Sequence, residues 1–424
     1  MPQVSSPPSP AADERQLARD WRLFILATFL FGFGFAVYNG VFQNFIREAL
    51  GAGPKQLGLV ESLREVPGLL TALLAGTLVA LAESRVAAVG LAIAGLGIAA
   101  TGMVGSVPSL VVVSVFWSIG FHVFSAVQSA ITLALARGRE GGRHLGKMAA
   151  VGASSTIAGL GAALLVRSLF PRLPYPAYFL AAGALILAAG CLFLGLSQHA
   201  AGLPRQPIVF RREYGLYYLL TFLEGCRRQV FSTFATFTLI AVYKTPLAPM
   251  LALQFVNSIL ISITAPRIGR IVDRLGERKP LMAYAIALTL VFVGYATIRL
   301  PGVLYALYLI DNVLFSFSVG FTTYLHRIVR PADLTPSLAM GTTMNHIAAV
   351  VVPIGGALLW EYTDNYQMPF WVGAAVALVS LWSTNRLPDG PPPPRHQIGT
   401  VPPAEAAGRV PPASGGSGGS SRSS

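Results

Sequence analysis

The chain has 424 residues, of which 54% are hydrophobic and 12% are charged, and its mean hydropathy is +0.60. A soluble domain carries about 25% charged residues, so this composition excludes a soluble globular protein and indicates a membrane domain with little mass outside the bilayer. The formal net charge of +13 does not indicate a nucleic-acid partner, because most of the basic residues flank apolar segments.

Twelve apolar segments follow one another along the chain, each about 20 residues long, the length that a helix needs to cross a hydrocarbon core. Since no water is present there to satisfy the backbone, each segment is predicted to be a helix. The segments begin near residues 22, 57, 85, 108, 146, 175, 214, 247, 280, 302, 335 and 368. The predicted fold class is therefore an all-α membrane protein with twelve transmembrane helices, which we number as spans one to twelve.

The spans fall into two sets of six. Residues 1–20 are polar and are predicted to be a cytoplasmic segment, 21–198 a first six-helix bundle, 199–213 a cytoplasmic linker and 214–386 a second bundle. Residues 387–424 are rich in Pro, Gly and Ser and cannot bury a core, so they are predicted to be a disordered cytoplasmic tail.

Basic residues near the span ends predict the orientation. If the N-terminus is cytoplasmic, 22 Lys and Arg residues fall in inside segments and six fall in outside segments. The six are Arg47, Lys55, Arg167, Arg172, Lys244 and Arg299. By the positive-inside rule, both termini are predicted to be cytoplasmic, in a multi-pass protein of the cell membrane.

The two sets of spans also resemble each other. A shift of 193 residues aligns them, and it places three first-half residues on identical second-half residues: Gly32 on Gly225, Gly76 on Gly269, and Arg137 on Arg330. Two parallel six-helix halves, which form two pseudo-symmetric bundles, are the layout of one large class of transporters.

The loop between spans eight and nine reads Gly269-Arg-Ile-Val-Asp273-Arg274-Leu-Gly276-Glu-Arg278-Lys279. Asp273 can cap a helix end and pair with a cation, Gly276 permits a tight turn, and Gly269 permits close helix packing. An ordinary charged loop is the other interpretation.

This loop closely resembles the G-x-x-x-D-R-x-G-x-[RK] motif of the major facilitator superfamily, which joins the second and third helices of a half. The resemblance implies the twelve-helix fold of that superfamily, with Asp273 and Arg274 in a cytoplasmic latch between the halves. The corresponding first-half segment, which begins at Gly76, matches the motif only in part, because Ala80 occupies the position of the aspartate. The latch is therefore expected to be one-sided.

A second partial resemblance is Pro353-Ile-Gly355-Gly356 in span eleven. Exporters of the superfamily carry a G-P-x-x-G-G-like stretch, but they carry it in span five. Helix packing by small residues and a proline kink is the alternative interpretation.

Ionisable residues at membrane depth are the strongest functional signal, because a charge there costs roughly 2.5–3.5 kcal/mol on insertion scales. The resemblance implies that spans one, four, seven and ten line a central cavity, while two, five, eight and eleven pack between the halves. The cavity candidates are Glu224, Arg227, Arg228, Asp311, Asn312, Asn345, His346, His122, Gln128 and Asn39; the gate candidates are Glu61, Arg64 and Glu65.

Each group has two interpretations. Glu61 and Arg64 form either an outer gate or a self-neutralised structural pair. The Glu224 cluster of span seven forms either an anion site or a structural network with Asp311. His346 is either a proton carrier, since its unperturbed pKa is near neutral, or a hydrogen-bonded core histidine.

No sequence motif indicates catalysis, a cofactor or a metal. The chain has neither a G-x-x-x-x-G-K-[ST] phosphate loop nor an H-E-x-x-H or Cys/His cluster. Energy is therefore expected from an ion or solute gradient, and the buried carboxylates and histidine favour protons over sodium.

The predicted function is secondary active transport of a small organic solute by alternating access, with a lean toward efflux. Uptake of an organic anion is the alternative, and a lipid flippase, a membrane enzyme or a non-transporting sensor are further ones. The predicted partners are the lipid bilayer, the solute and protons, and the expected state is a monomer.

Overall fold

The computed structural model describes residues 10–74, 83–137, 140–197 and 210–390. All regular structure in these ranges is helical. The N-terminal residues 1–9, linker residues 198–209 and tail residues 391–424 lie outside the described residues. So do Gly76 and Ala80 of the first-half loop.

Within these ranges, twelve helical spans follow one another, as predicted. The first six are α1 (Pro10–Glu48), α2 (Pro54–Leu74), α3 (Glu83–Thr101), α4 (Val107–Ala136), α5 (Gly141–Leu169) and α6 (Tyr175–Leu194). The second six are α7 (Gly215–Gln229, Val230–Ala235 and Thr236–Ala241), α8 (Leu247–Leu275), α9 (Arg278–Thr297), α10 (Pro301–Leu314, Phe315–Ser318 and Val319–Ile328), α11 (Leu334–Thr363) and α12 (Met368–Thr384).

The main difference from the predicted boundaries is at α1, which begins at Pro10 rather than near residue 22. The added turns are polar, but they consist largely of Ala, Glu, Gln, Leu and Arg, which are strong helix formers. Proline at the first helical position is compatible with a helix start. Hydropathy locates the membrane-crossing part of this helix and therefore misses its polar extension.

Nine of the described helices are long and apolar enough to cross a membrane, and Met368–Thr384 is a shorter apolar helix. The two remaining spans are α2 and α7. Each carries three charged residues within five positions, in α2 from Glu61 to Glu65 and in α7 from Glu224 to Arg228. The two spans with the weakest membrane signal are therefore those in which three charged residues lie close together.

The two halves repeat the same helix pairings: α1 packs on α5 and α6, and α7 packs on α11 and α12. A Cβ atom on Gly32 would clash with Ser155, and one on Gly225 would lie 2.9 Å from the Cβ of Ala348. Gly32 and Gly225 are 193 residues apart, and so are Ser155 and Ala348. The same close contact thus recurs at the spacing of the sequence repeat.

The halves meet where α2 packs on α11 and where α5 packs on α8. The resemblance implied these four helices, and the structure shows how they pair. Two polar contacts between the halves lie near the C-terminal end of α1 and in the first half of α2. The Asn44 side chain donates to the Thr245 carbonyl at 3.3 Å, and Ser62 Oγ accepts from the Ile354 amide at 3.0 Å. This is the end of the bundles that is predicted to face outward.

The orientation can be tested by cysteine labelling. With Cys191 and Cys226, both free, replaced by alanine, Lys55→Cys and Lys244→Cys are expected to react with a membrane-impermeant maleimide on intact cells. Arg143→Cys is expected to react only after permeabilisation, because its segment is predicted to be cytoplasmic. The reverse pattern would contradict the orientation.

Candidate functional site

A central cavity lies between the halves, and Arg228 lines each of its parts. Three adjoining cavities of about 350, 750 and 250 Å³ all include Arg228 in their lining. The first two also share Asn39 and Asn312. The 350 and 750 Å³ volumes are in the range of small-molecule sites, roughly 300–1,000 Å³.

The largest cavity extends toward one end of the bundles. Its lining includes Thr28 of α1, about six residues after the predicted start of span one, Thr132 near the end of α4 and Leu145 near the start of α5. All three lie toward the predicted cytoplasmic end, opposite the hydrogen bonds between the halves. The cavity therefore reaches toward the predicted cytoplasm, and the halves are joined at the other end.

Arg227 is the centre of a buried charge network in the second half. Its Nη1 lies 2.8 Å from an oxygen of Asp311, and its Nη2 lies 3.1 Å from Glu224 Oε1. Tyr284 of α9 donates to the other oxygen of Glu224 at 2.7 Å. Arg227 and Asp311 are each 2% exposed. The interpretation of Arg227, Glu224 and Asp311 as a network thus has direct geometric support.

Arg228, the next residue of α7, has a different environment. Among the described residues it has neither a hydrogen bond nor an ion pair. Its guanidinium carbon lies 5.3 Å from the ring centroid of Phe315, at the cavity wall. Consecutive helix residues point about 100° apart, so Arg227 is buried against carboxylates of the second half while Arg228 is exposed at the cavity.

Both second-half helices that carry this cluster are irregular just beyond it. In α7 a π-helical stretch, Val230–Ala235, begins two residues after Arg228. In α10 a 3₁₀ stretch, Phe315–Ser318, begins four residues after Asp311. Such mid-helix irregularities frequently mark functional hinges, and here they adjoin the charged residues.

Asparagine and glutamine side chains complete the cavity wall. The amide nitrogens of Asn39 and Asn312 donate to carbonyls one turn earlier, Phe35 at 3.0 Å and Tyr308 at 2.8 Å. Their amide oxygens are therefore the atoms that remain for a ligand. Other amide-bearing residues of the lining are Gln43, Asn44, Gln128, Gln254, Asn257 and Asn345.

The site predictions did not include Gln254 and Asn257 of α8. Gln254 reaches across the halves and donates to the Gly40 carbonyl at 3.2 Å. The sequence does contain a signal that could have identified them. They are two amide side chains three positions apart in an apolar span, and positions i and i+3 share a helix face.

The gate candidates separate into two environments. Arg64 lies 2.6 Å from Glu61, and both line the 350 Å³ cavity. The guanidinium lies 5.6 Å from the ring centroid of Phe42 and 5.9 Å from that of Trp117. Glu61 and Arg64 are thus a packed pair at the cavity wall, whereas Glu65 contacts two histidines.

Glu65 joins His122 of α4 and His346 of α11. Glu65 Oε2 lies 3.3 Å from His346 Nδ1 and 4.0 Å from His122 Nε2. The two imidazole centroids are 5.1 Å apart. The sequence identified all three residues but did not predict the cluster, because they belong to three helices and both halves.

The predicted latch loop forms the turn between α8 and α9. Gly276 has a φ of +76°, a conformation that favours glycine. Asp273 and Arg274 are exposed, and neither has a hydrogen bond or ion pair within the described ranges. Apart from the backbone of its own helix, no described atom lies within 4 Å of a Cβ built on Gly269. The close helix packing expected at this glycine is therefore not made in this conformation. Arg278 instead pairs with Asp389 at 2.5 Å.

The stretch that resembles an exporter motif has a packing role. A Cβ on Gly356 would lie 2.7 Å from an atom of the Phe234 ring, and one on Gly58 would lie 2.5 Å from the Pro353 carbonyl oxygen. Small residues here let α11 approach α7 and α2 closely, as the alternative interpretation proposed.

Two six-helix bundles around a central charged cavity are the architecture of a secondary transporter. The chain belongs to the Major Facilitator Superfamily, whose family model matches residues 24–329 and 217–414. The predicted fold class and superfamily are thereby confirmed, and the protein is a transporter embedded in a membrane rather than an enzyme. No curated protein matches the chain.

Solved structures of transporters share the fold at low sequence identity. The nucleoside transporter NupG is 15% identical, with a TM-score of 0.70 over 86% of this chain and 98% of that chain. A bacterial homologue of the iron transporter ferroportin, in an inward-facing state, is 16% identical, with a TM-score of 0.69 over 89% and 98%. A D-xylose-proton symporter is 14% identical, with a TM-score of 0.68 over 88% and 98%.

The latch can be tested with two neutralising variants. Asp273→Asn is expected to reduce transport at least several-fold while membrane insertion stays normal, because the predicted latch would use this aspartate only when the halves close at the end predicted to be cytoplasmic. Glu83→Gln in the decayed first-half loop is expected to have a milder effect. Transport assays with surface-expression controls measure both, and equal, negligible effects would show that the loop has no latch role.

Proposed function

We propose that the protein is a proton-coupled secondary transporter that carries a small organic anion through the Arg228 cavity by alternating access. The observation that carries this proposal is the unpaired guanidinium of Arg228 at the wall of all three adjoining cavities. A guanidinium offers five donors in a planar fork that matches carboxylate and phosphate groups.

The charge balance of the cavity supports an anionic solute. The 350 Å³ cavity is lined by three arginines and two carboxylates, and among the residues described these are its charged side chains. Arg64 is paired with Glu61, and Arg227 with Asp311. The remaining positive charge is on Arg228, and an anion that binds there would neutralise it.

The amide-rich wall supports a polar solute rather than an apolar one. Amide oxygens can accept from hydroxyl or amino groups of a solute whose acidic group pairs with Arg228. The fold neighbours include transporters of a nucleoside and of D-xylose, which are polar solutes. The proposed substrate class is therefore a small hydroxylated or amino-bearing organic acid.

The network around Arg227 supports proton coupling. One guanidinium, that of Arg227, is shared by two carboxylates, Asp311 and Glu224, so this network carries one negative charge beside the positive charge of Arg228. When an anion pairs with Arg228, a proton on one of the two carboxylates would restore the charge balance. An uncompensated charge at this depth is costly, so protonation of one carboxylate would be linked to the state of the cavity. Asp311 also lines the 350 Å³ cavity and gives the proton a route to it.

Asp311→Asn and Glu224→Gln are expected to abolish uptake driven by a pH gradient and to preserve solute exchange at equal pH. Exchange needs the binding site and the conformational change, whereas driven uptake also needs the proton site. Flux and exchange in proteoliposomes measure the two separately. Asp364→Asn, at an exposed helix end, is the matched control. Retained pH-driven uptake in both network variants would exclude this network as the proton carrier.

Efflux remains a prediction from the sequence, as does location in the cell membrane with cytoplasmic termini. The proline-glycine stretch of α11 packs helices, so its resemblance to an exporter motif adds no support for a direction. Uptake and efflux would use the same cavity, and the imposed gradients would set the net direction.

A further inference from the structure

We propose that Glu65, His122 and His346 form a binding site for a divalent transition-metal ion, such as Zn²⁺, that bridges the two halves of the transporter. One potential ligand atom from each residue lies within 4.8 Å of the other two. Glu65 and His122 belong to the first half and His346 to the second. The proposal does not depend on the identity of the transported solute.

The donor set suits such an ion. Two imidazoles and one carboxylate bind zinc in catalytic sites and also bind other first-row metals. At metal–ligand distances of about 2.0–2.2 Å, tetrahedral ligand atoms lie about 3.4 Å apart. The 3.3 Å between Glu65 Oε2 and His346 Nδ1 matches this spacing, and the 4.0 Å to His122 Nε2 needs a small closure.

The hydrogen bond made by His122 Nδ1 leaves the other ring nitrogen, Nε2, able to bind a metal ion. His122 Nδ1 lies 2.9 Å from the Ser118 carbonyl oxygen. A carbonyl only accepts, so Nδ1 carries the hydrogen, and in the neutral ring Nε2 presents a lone pair toward Glu65. A lone pair and a carboxylate oxygen that face each other across 4.0 Å leave a position suited to a cation.

Local charge and packing also fit this ion. The guanidinium nitrogens of Arg64 lie 2.6 Å from a carboxylate oxygen of Glu61 and 3.8 Å from one of Glu65. Since one cation faces two carboxylates, their negative charge is only partly neutralised. Gly68, one turn after Glu65, leaves room for both imidazoles, because a Cβ there would lie 2.5 Å from His346 Cε1 and would clash with the His122 ring. The Glu65 side chain is 22% exposed, which leaves the site accessible to an ion.

A bound ion would cross-link α2 and α4 to α11. These helices belong to halves that must move relative to each other during alternating access. Metal binding would therefore hold the halves together at this point and slow the transport cycle. A regulatory or inhibitory site for a metal is the functional consequence.

The test uses tag-free, chelator-treated protein in detergent. Zn²⁺ titration by calorimetry is expected to show one saturable equivalent and a higher melting temperature, and Co²⁺ is expected to give a visible spectrum typical of nitrogen and oxygen ligation. His346→Ala, His122→Ala and Gly68→Ala should each weaken binding at least tenfold. His144→Ala, at a histidine stacked on Trp21, is the matched control and should bind normally.

The outcomes are distinguishable from those of the transport proposal. Melting without metal shows whether each variant is folded, and the wild-type titration alone can overturn the site. Absence of a saturable equivalent in the wild type, or undiminished binding in folded His346→Ala and His122→Ala, would overturn it. Solute binding at Arg228 is measured in metal-free buffer, so failure of one proposal leaves the other standing.

Discussion

Replacement of Arg228 by Gln is expected to weaken binding of the transported anion by about 30-fold or more, with protein stability near that of the wild type. Loss of one partner from a desolvated, hydrogen-bonded charge pair costs about 2–5 kcal/mol, and 1.4 kcal/mol corresponds to a tenfold change in affinity. Stability should change little, because Arg228 has no ion pair to lose among the described residues.

A thermal-shift screen of matched solutes measures this effect. Each organic acid is paired with its neutral counterpart, for example a sugar acid with the parent sugar. The acid members should stabilise the wild type and lose this effect in Arg228→Gln. Arg330→Gln removes a charge at a 70% exposed side chain and serves as the control. Equal stabilisation of the wild type and Arg228→Gln by the acids would contradict the assignment.

Replacement of the neighbouring Arg227 by Gln is expected to have a different effect, a loss of about 3–5 kcal/mol in stability. The variant leaves Asp311 and Glu224 buried without their cation, and this uncompensated charge dominates the cost. The expected observation is a much lower apparent melting temperature and reduced yield of folded protein.

A double variant tests whether the loss of stability comes from the carboxylates that Arg227→Gln leaves unpaired. Removal of both charges in Arg227→Gln with Asp311→Asn should recover part of the lost stability, because it leaves fewer uncompensated charges. Melting curves of the single and double variants in the same detergent give the comparison. Wild-type stability of Arg227→Gln would show that the network does not stabilise the fold.

Much of the fold could be predicted from the sequence because the bilayer imposes strong constraints. The length of the apolar segments, and the need of each to hydrogen-bond its own backbone in the bilayer, predicted twelve helices. The duplication at a spacing of 193 residues predicted that they form two halves. The polar start of α1 was missed because hydropathy does not report helix outside the membrane. The contact of Gly32 with Ser155, and its repeat in the second half, needed coordinates.

The candidate site was only partly predictable. The cost of buried charge singled out Glu224, Arg227 and Arg228, but it could not tell which arginine is paired. That distinction depends on the rotation of α7 against α10, which is set by packing. The meeting of Glu65 with two histidines depends on three helices, and no spacing along the chain encodes it.

Proton-coupled transport of an anion through the Arg228 cavity is tested most directly by pH-driven uptake in proteoliposomes that contain the wild type or Arg228→Gln, with the acid and neutral solute that the screen pairs. We expect the wild type to accumulate the acid above its equilibrium level when a pH gradient is imposed. Arg228→Gln should not accumulate the acid, and neither protein should accumulate the neutral counterpart. Equal accumulation by both proteins, or accumulation of the neutral solute alone, would contradict such transport.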